Sequence, residues 1–361
     1  MNILYVTYID FGDFKSGSSV RPQKMHEAFL ALGCQVKLLQ TQQNKRAERK
    51  KAVEEINRWL DATRPDFCYV ESPSGPIFHG FDRKLLRRIH RMGIPMGYFY
   101  RDAAFRFDEI FIPGKKSLKQ HVIHWMSERD IRFLKKNTDL VYLPTESMAK
   151  YFDFPKVAFL PPACTGSHDS KIGKVPGRRS IYVGGVSKRY GTDTLLKAFE
   201  QLNRGENGEY PLTLVCRQQA VSYIGEEYLH QPWLNVVHAS GAKELAPLYA
   251  QADLALYPIE KNAYNDFAFS VKLMEYLEYG LPMVAVNCTE TQKFIETYSL
   301  GLVCENNPED FAEKVAQILG DSELYARCAE SAVNAVEGNL WMDRAKTVLQ
   351  DLGGDQGEAQ V

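Results

Sequence analysis

Short apolar runs alternate along this chain with amphipathic stretches, and that alternation predicts strands and helices in turn. Residues 2–8 open with Ile3, Leu4, Tyr5 and Val6 in unbroken succession, which reads as a core strand. A loop over 10–20 contains Gly12, Gly17, Ser18 and Ser19. Over 21–32, Met25, Phe29 and Leu32 recur at helical spacing, with Pro22 in the first turn and Gly33 at the stop. A strand at 36–39 completes a βαβ opening. The series continues with a charged helix at 45–60, a strand at 67–70 and a helix at 83–92 built on Leu85, Leu86 and Ile89. A strand at 95–100 leads into Arg101-Asp102, helical material covers 117–135, and 140–143 is a short strand before Pro144-Thr145.

Pro161-Pro162, Gly166 and the polar run to Arg179 read as a linker, after which the pattern restarts. Strands are expected at 181–183, 212–216, 234–238, 254–257 and 283–286, and helices at 193–202, 243–250, 270–279, 310–319 and 323–350. Two series of alternating strand and helix predict an α/β fold of two Rossmann-like domains, at 1–168 and 169–335, rather than one closed barrel. A last helix, 336–350, precedes a tail, 351–361, whose GGDQGEAQV composition predicts disorder.

Composition changes this picture little, and charge changes it more. No segment approaches the apolar length of a membrane span, and the N-terminus lacks the basic-then-apolar pattern of a signal peptide. The seven cysteines have no metal-ligand spacing and suggest small buried hydrophobes in a reducing, cytoplasmic setting. Residues 1–168 hold 27 Lys and Arg against 18 Asp and Glu, whereas 169–361 hold 17 against 27. The basic half suits an anionic partner or surface, or simply attraction between two oppositely charged halves.

The candidate chemistry concentrates in 254–286. A strand ends at Pro258, a polar loop follows, and a helix starts at Ser270 as N-cap. Val271, Met274 and Leu277 form its packing face, with Lys272 and Glu275 on another side. Lysine in a first turn opposes the helix dipole, at a cost of about 0.3–1 kcal/mol. The placement makes sense if an anion binds there, with Lys272 and free backbone N–H groups on a phosphate and Glu275 accepting from sugar hydroxyls. The same two residues also read as a solvated ion pair at i,i+3.

The segment SVKLMEYLEYGLPMVA, 270–285, together with 182–202 and 235–258, resembles the GT-B glycosyltransferases, in particular the retaining family 4 (group 1) enzymes with an E-x7-E signature. The resemblance implies two Rossmann-like domains with a cleft between them, and a C-terminal helix near Trp341, at 336–350, that crosses back to pack on the first domain. It implies that Glu275, as the second signature acid, contacts the donor ribose, and that Lys272 lies beside the donor phosphates. Phe267 stands where the first acid belongs, with Asp266 beside it as a substitute. The diphosphate-binding Arg and Lys of relatives correspond here to Gly185 and Tyr190, so Arg189 and Arg217 are expected to reach the diphosphate instead. The resemblance also implies that the first domain binds the acceptor and that Gly17 falls in the loop facing the donor. Arg101-Asp102 replaces a His-Asp pair and is expected to hold an anionic group and orient or deprotonate an acceptor hydroxyl. His26 is a further candidate, while His121 and His124 read as an ordinary helix face.

The expected activity is metal-independent transfer of a hexose from a nucleoside-diphosphate sugar to a glycan or lipid-linked acceptor, with retention, in polysaccharide or glycoconjugate biosynthesis. No cofactor beyond the donor is implied, since the chain has no D-x-D motif. Nucleic acid is not expected as a partner. Arg83, Lys84, Arg87, Arg88 and Arg91, with Lys115, Lys116 and Lys119 and the apolar Phe105, Phe107, Phe111 and Ile112, suggest peripheral contact with an anionic membrane at its inner face. An epimerase or hydrolase on the same scaffold, or a non-catalytic glycan- or nucleotide-binding partner, remain the competing readings.

Overall fold

The apolar runs become two parallel sheets. The computed structural model describes residues 1–12, 17–111, 114, 117–168, 171–204 and 210–354. The chain divides into two compact units, one of residues 1–161 with 341–361 and the other of 162–340. The first carries β1 (Asn2–Val6), β2 (Gln35–Leu39), β3 (Phe67–Glu71), β4 (Met96–Phe99), β5 (Leu140–Leu143) and β6 (Val157–Phe159). Its order across the sheet is β2-β1-β3-β4-β5-β6, every pair parallel. Between the strands run α1 (Gly17–Ala31), α2 (Arg46–Ala62), α3 (Gly80–Arg91), α4 (Asp108–Phe111), α5 (Leu118–Asn137) and α6 (Glu146–Ala149). Every residue of β3 and β4 is buried, as expected of parallel strands covered on both faces by helices.

The second unit carries β7 (Ser180–Val183), β8 (Leu212–Val215), β9 (Leu234–Val237), β10 (Leu254–Tyr257), β11 (Met283–Val286) and β12 (Gly301–Cys304) in the order β12-β11-β10-β7-β8-β9. Its helices are α7 (Thr192–Leu202), α8 (Glu226–Leu229), α9 (Gly241–Gln251), α10 (Val271–Glu278), α11 (Thr289–Tyr298), α12 (Pro308–Gly320) and α13 (Ser322–Asn334). Counted within the unit, the strand order is 6-5-4-1-2-3, that of a dinucleotide-type Rossmann sheet, and it reverses between β7 and β10. The buried β7, β10 and β11 form the middle of its core.

The last helix, α14 (Trp341–Leu352), belongs to the first unit. Its Asp351 accepts a hydrogen bond from the Tyr142 hydroxyl at 3.0 Å, and Leu352 fills the space beside Gly97 on β4. The expected continuous helix over 323–350 is therefore two helices. The break is local chemistry: Gly338 takes a left-handed φ of 80°, and the Asn339 carbonyl accepts from Cys164 N at 2.7 Å instead of continuing a helical ladder.

Other expectations need correction. Helix α1 begins at Gly17, so the loop read over 10–20 is shorter than expected, and Pro22 lies well inside the helix rather than in its first turn. Its missing N–H leaves one rung of the ladder open. Edge strands β6 and β12, only partly buried, and the largely polar α11 carry no periodic signal strong enough to be read. All seven cysteines are buried and free of disulfides. Among the described residues, no helix is long and apolar enough to cross a membrane.

Candidate functional site

In open parallel sheets, ligands bind outside the carboxyl ends of the strands where the strand order reverses. In the second unit that point lies between β7 and β10, so the loops leaving these two strands, 184–191 and 258–270, frame the candidate site. The loops touch. Gly191 adopts φ 67°, and a Cβ there would run into the carbonyl oxygen of Pro258. The Glu260 N–H donates to the Arg189 carbonyl at 3.3 Å. Only glycine permits this approach.

Helix α10 is pinned beneath the reversal by one buried hydroxyl. Tyr276 accepts from Val183 N at 3.3 Å and donates to the Leu256 carbonyl at 3.2 Å, so it bridges β7 and β10. The Ser270 hydroxyl caps the helix by accepting from Lys272 N at 3.2 Å. Leu273, Met274, Tyr276 and Leu277 are buried while Val271 is only partly so, and the packing face is rotated from the one expected. The aromatic Tyr276 is the reason, since its hydroxyl finds partners in the core.

Lys272 and Glu275 stay on the accessible side. The Lys272 ammonium lies 2.9 and 3.2 Å from the two Glu275 oxygens, and the side chains are 29% and 27% exposed. This is the i,i+3 pair the sequence allowed, but it has a third member. The buried Tyr249 hydroxyl of α9 donates to Glu275 Oε2 at 2.6 Å. Burial and then the Glu275 charge push the Tyr249 phenol well above its ordinary value, so it remains a donor. Glu275 is thus aimed by a fixed partner rather than swinging in solvent. Nothing in the sequence marks Tyr249, which sits in an apolar run 26 residues away.

Arg189 lies in the loop after β7, with its guanidinium 2.8 Å from the Tyr190 hydroxyl and 4.7 Å from that ring. Tyr190 packs against Gly185, so the tyrosine occupies the space next to the turn. Arg217 is exposed one strand further out, following β8. Asp266, beside the position of the first signature acid, is tied to α11 through one carboxylate oxygen and its carbonyl. Its Oδ1 accepts from Thr289 N at 3.2 Å and its carbonyl from Glu290 N at 3.1 Å. Phe267 is buried against Tyr264, with ring centroids 5.0 Å apart. Glu278, not anticipated, is buried and accepts from the Thr165 N–H and hydroxyl, with His168 3.5 Å away. Burial raises its pKa.

In the first unit, Arg101 and Asp102 line a cavity of about 330 Å³ with Ser72, Tyr100, Phe105 and His124. The Arg101 N–H donates to the Ser72 hydroxyl at 3.2 Å, and Asp102 Oδ1 accepts from Ala104 N at 2.9 Å, fixing the turn after β4. Burial pushes the Arg101 guanidinium down from its ordinary value, against the pull of Glu71. Glu71 itself is fully buried, accepting from Arg21 Nε at 3.0 Å and from the Tyr69 hydroxyl at 2.8 Å. Neither Arg21 nor Glu71 was anticipated, although an acid closing an all-apolar strand is a visible signal. Gly17 starts α1; residues 13–16 before it lie outside the described residues. His26 packs between Tyr5 and Phe11, at centroid distances of 5.8 and 5.3 Å, and burial lowers its pKa. Of the apolar set expected on a membrane face, Phe107 is buried and Phe105 and Phe111 line the cavity, while Ile112, Lys115 and Lys116 lie outside the described residues.

Comparison with known proteins bears on this geometry. Residues 169–335 match the family described as Glycosyl transferases group 1. A Bacillus subtilis (strain 168) protein, TuaH, named for a glycosyltransferase role in teichuronic acid biosynthesis, is 30% identical over 118 residues. That match takes in 32% of this chain and 29% of the relative, so the chain spans less than a third of that relative's length. Among solved structures, sucrose-phosphate synthase (tll1590) from Thermosynechococcus elongatus superposes with a TM-score of 0.68 at 14% identity, over 96% of this chain and 97% of that one. Anabaena Alr3699/HepE in complex with UDP gives 0.65 at 13% identity, over 98% and 99%. At these identities the likeness is one of fold: two Rossmann-like domains of the GT-B type.

Proposed function

We propose, for a chain whose residues 169–335 form a group 1 glycosyl transferase domain, that it moves a hexose from a nucleoside-diphosphate sugar to a glycan or lipid-linked acceptor in polysaccharide or glycoconjugate biosynthesis. The observation that carries this reading is the convergence at the β7/β10 reversal of a capped helix N-terminus, Lys272 and a carboxylate oriented by Tyr249. The diphosphate belongs at the α10 N-terminus, where free N–H groups and the Lys272 ammonium meet its charge. Lys272 then exchanges Glu275 for a phosphate oxygen. Glu275, still held by Tyr249, accepts from the ribose hydroxyls.

Arg189 and Arg217 add positive charge to the departing nucleoside diphosphate. Charge that grows on the leaving group is stabilised by groups already in place, which lowers the barrier without reorganisation. The proposed transfer draws this charge from the protein rather than from a divalent metal. UDP is the first nucleotide to test, because a fold relative holds it. In the first unit, Asp102 orients the acceptor hydroxyl and receives its proton, and Arg101 holds an anionic group beside it. Attack from the face the diphosphate leaves gives retention.

The test is a donor panel read by release of nucleoside diphosphate, with and without glycan and lipid-linked acceptors, in EDTA and in added Mg²⁺. We expect acceptor-dependent release that EDTA leaves unchanged. Release that is independent of every acceptor would favour a hydrolase. Loss of turnover in EDTA, restored by Mg²⁺, would contradict the metal-free reading.

A further inference from the structure

Helix α5 carries one stripe whose character changes halfway along. Leu118, Val122, Trp125, Arg129, Arg132 and Lys136 succeed one another at spacings of four and three. At 3.6 residues per turn, all six fall within about 80° of arc and along about 27 Å of helix. The first three are large apolar side chains left in water, with Leu118, Val122 and Trp125 being 81%, 46% and 57% exposed. The last three, together with Arg83 and Arg87 from the neighbouring α3, line a surface cavity of about 380 Å³.

The charge there is unbalanced. Among the described residues five cations and no carboxylate line the cavity; the buried Asp130 beneath lies 3.3 Å from Arg83 and 3.9 Å from Arg129. Nε and Nη2 of Arg129 are buried with no hydrogen-bond partner among the described residues. The same guanidinium stands 5.0 Å from the Trp125 ring, at the junction of the apolar and basic halves. Arg87 rests 5.5 Å over Phe133. The other acids nearby are already engaged: Glu128 with Arg106 at 3.1 Å, and Asp82 with Arg49 at 2.9 Å.

A nucleic acid or free phosphate would answer the cations and leave Leu118 and Val122 in water. A phospholipid surface answers both halves. Apolar side chains enter the boundary between headgroups and acyl chains, tryptophan sits at headgroup level, and arginine and lysine meet phosphate. We propose that the α3–α5 face of the first unit docks this protein on a bilayer of anionic phospholipid. This rests on no assumption about the reaction; it shares Arg83 and Arg87 with the basic set read from the sequence, but Trp125, Arg129, Arg132 and Lys136, absent from that set, are its centre.

The experiment is co-sedimentation of the full chain with phosphatidylcholine vesicles and with vesicles in which part of that lipid is replaced by phosphatidylglycerol. We expect binding to the anionic vesicles alone, falling as salt rises, with a blue shift in tryptophan emission that Trp125→Phe abolishes. The triple variant R129Q/R132Q/K136Q should lose about a hundredfold in affinity, at roughly fivefold per cation near an anionic surface. Leu118→Ser with Val122→Ser should weaken binding with the charge intact. All these positions are exposed or half-buried, and circular dichroism checks that each variant keeps its fold. K50Q/K51Q removes two exposed positive charges from α2 and should bind as the parent does. No binding to anionic vesicles, unchanged binding by the triple variant, or an equal loss in the α2 control would overturn the proposal. So would inorganic phosphate bound at this face without vesicle uptake.

Discussion

Glu275 shows what a single contact adds to a charged residue. An exposed Lys–Glu pair at i,i+3 contributes roughly 0.2–0.5 kcal/mol and specifies nothing. The Tyr249 hydroxyl at 2.6 Å turns the same carboxylate into a positioned acceptor. Two outcomes separate site from surface pair. Glu275→Ala and Lys272→Ala should each weaken nucleoside-diphosphate binding by about ten- to a hundredfold, the scale of a lost charged hydrogen bond, measured by calorimetry. Tyr249→Phe should cost a smaller factor, about three- to tenfold, because it frees the carboxylate without removing it. Normal affinity in Glu275→Ala would leave only the ion pair. Asp102→Ala belongs to the other unit's cavity and should behave differently. We expect transfer to fall by about a hundredfold or more with nucleotide affinity within about twofold, as for a general base. Equal losses in both assays would reduce Asp102 to its turn with Ala104.

At the level of elements, the site depends on how α10 is held under the gap between β7 and β10. The Tyr276 hydroxyl satisfies one backbone N–H and one carbonyl on the two strands. Tyr276→Phe leaves both without a partner in the core, and should cost about 1–3 kcal/mol in the unfolding of the second unit, measured by urea titration. A variant as stable as the parent would mean that the strands, not the tyrosine, set the position of α10. This tie also marks where sequence reading stops. The strands were legible because buried parallel strands are unbroken apolar runs, and Ser270 because capping is a local rule. Tyr276 reaches Val183, 93 residues away, and its hydroxyl looks the same in sequence as any aromatic on a packing face. Asp266 shows a related limit: adjacency to Phe267 made it a candidate acid, but nothing in the sequence signals that one of its carboxylate oxygens holds the first turn of α11. Edge strands β6 and β12 escaped notice because half-buried strands need no continuous apolar run.

For the whole molecule, the chain makes two Rossmann-like units and returns to the first with α14. The ordering of strand and helix in each half made the two-unit architecture legible, since a fresh βα start after a Pro-rich break marks the opening of a second sheet. The return of the last helix to the first unit was implied by the resemblance, whereas the contacts α14 makes there were not legible. Buried Trp341 stands 5.6 Å from the Arg21 guanidinium, and Arg344 donates to the Pro161 carbonyl at 3.2 Å. Trp341→Ala should therefore destabilise the first unit by about 3–5 kcal/mol, as a large core truncation does. Nucleotide affinity at the second unit should stay close to that of the parent, and a large loss would show that α14 supports more than its own unit.

The account turns on where the pyrophosphate sits, and a crystal structure of the full chain with bound UDP tests that directly. It should place a phosphate oxygen within hydrogen-bond distance of Lys272 Nζ and the ribose hydroxyls on Glu275, with the Tyr249 hydroxyl still on that carboxylate. A diphosphate bound away from the α10 N-terminus, with the Lys272–Glu275 pair undisturbed, would contradict it.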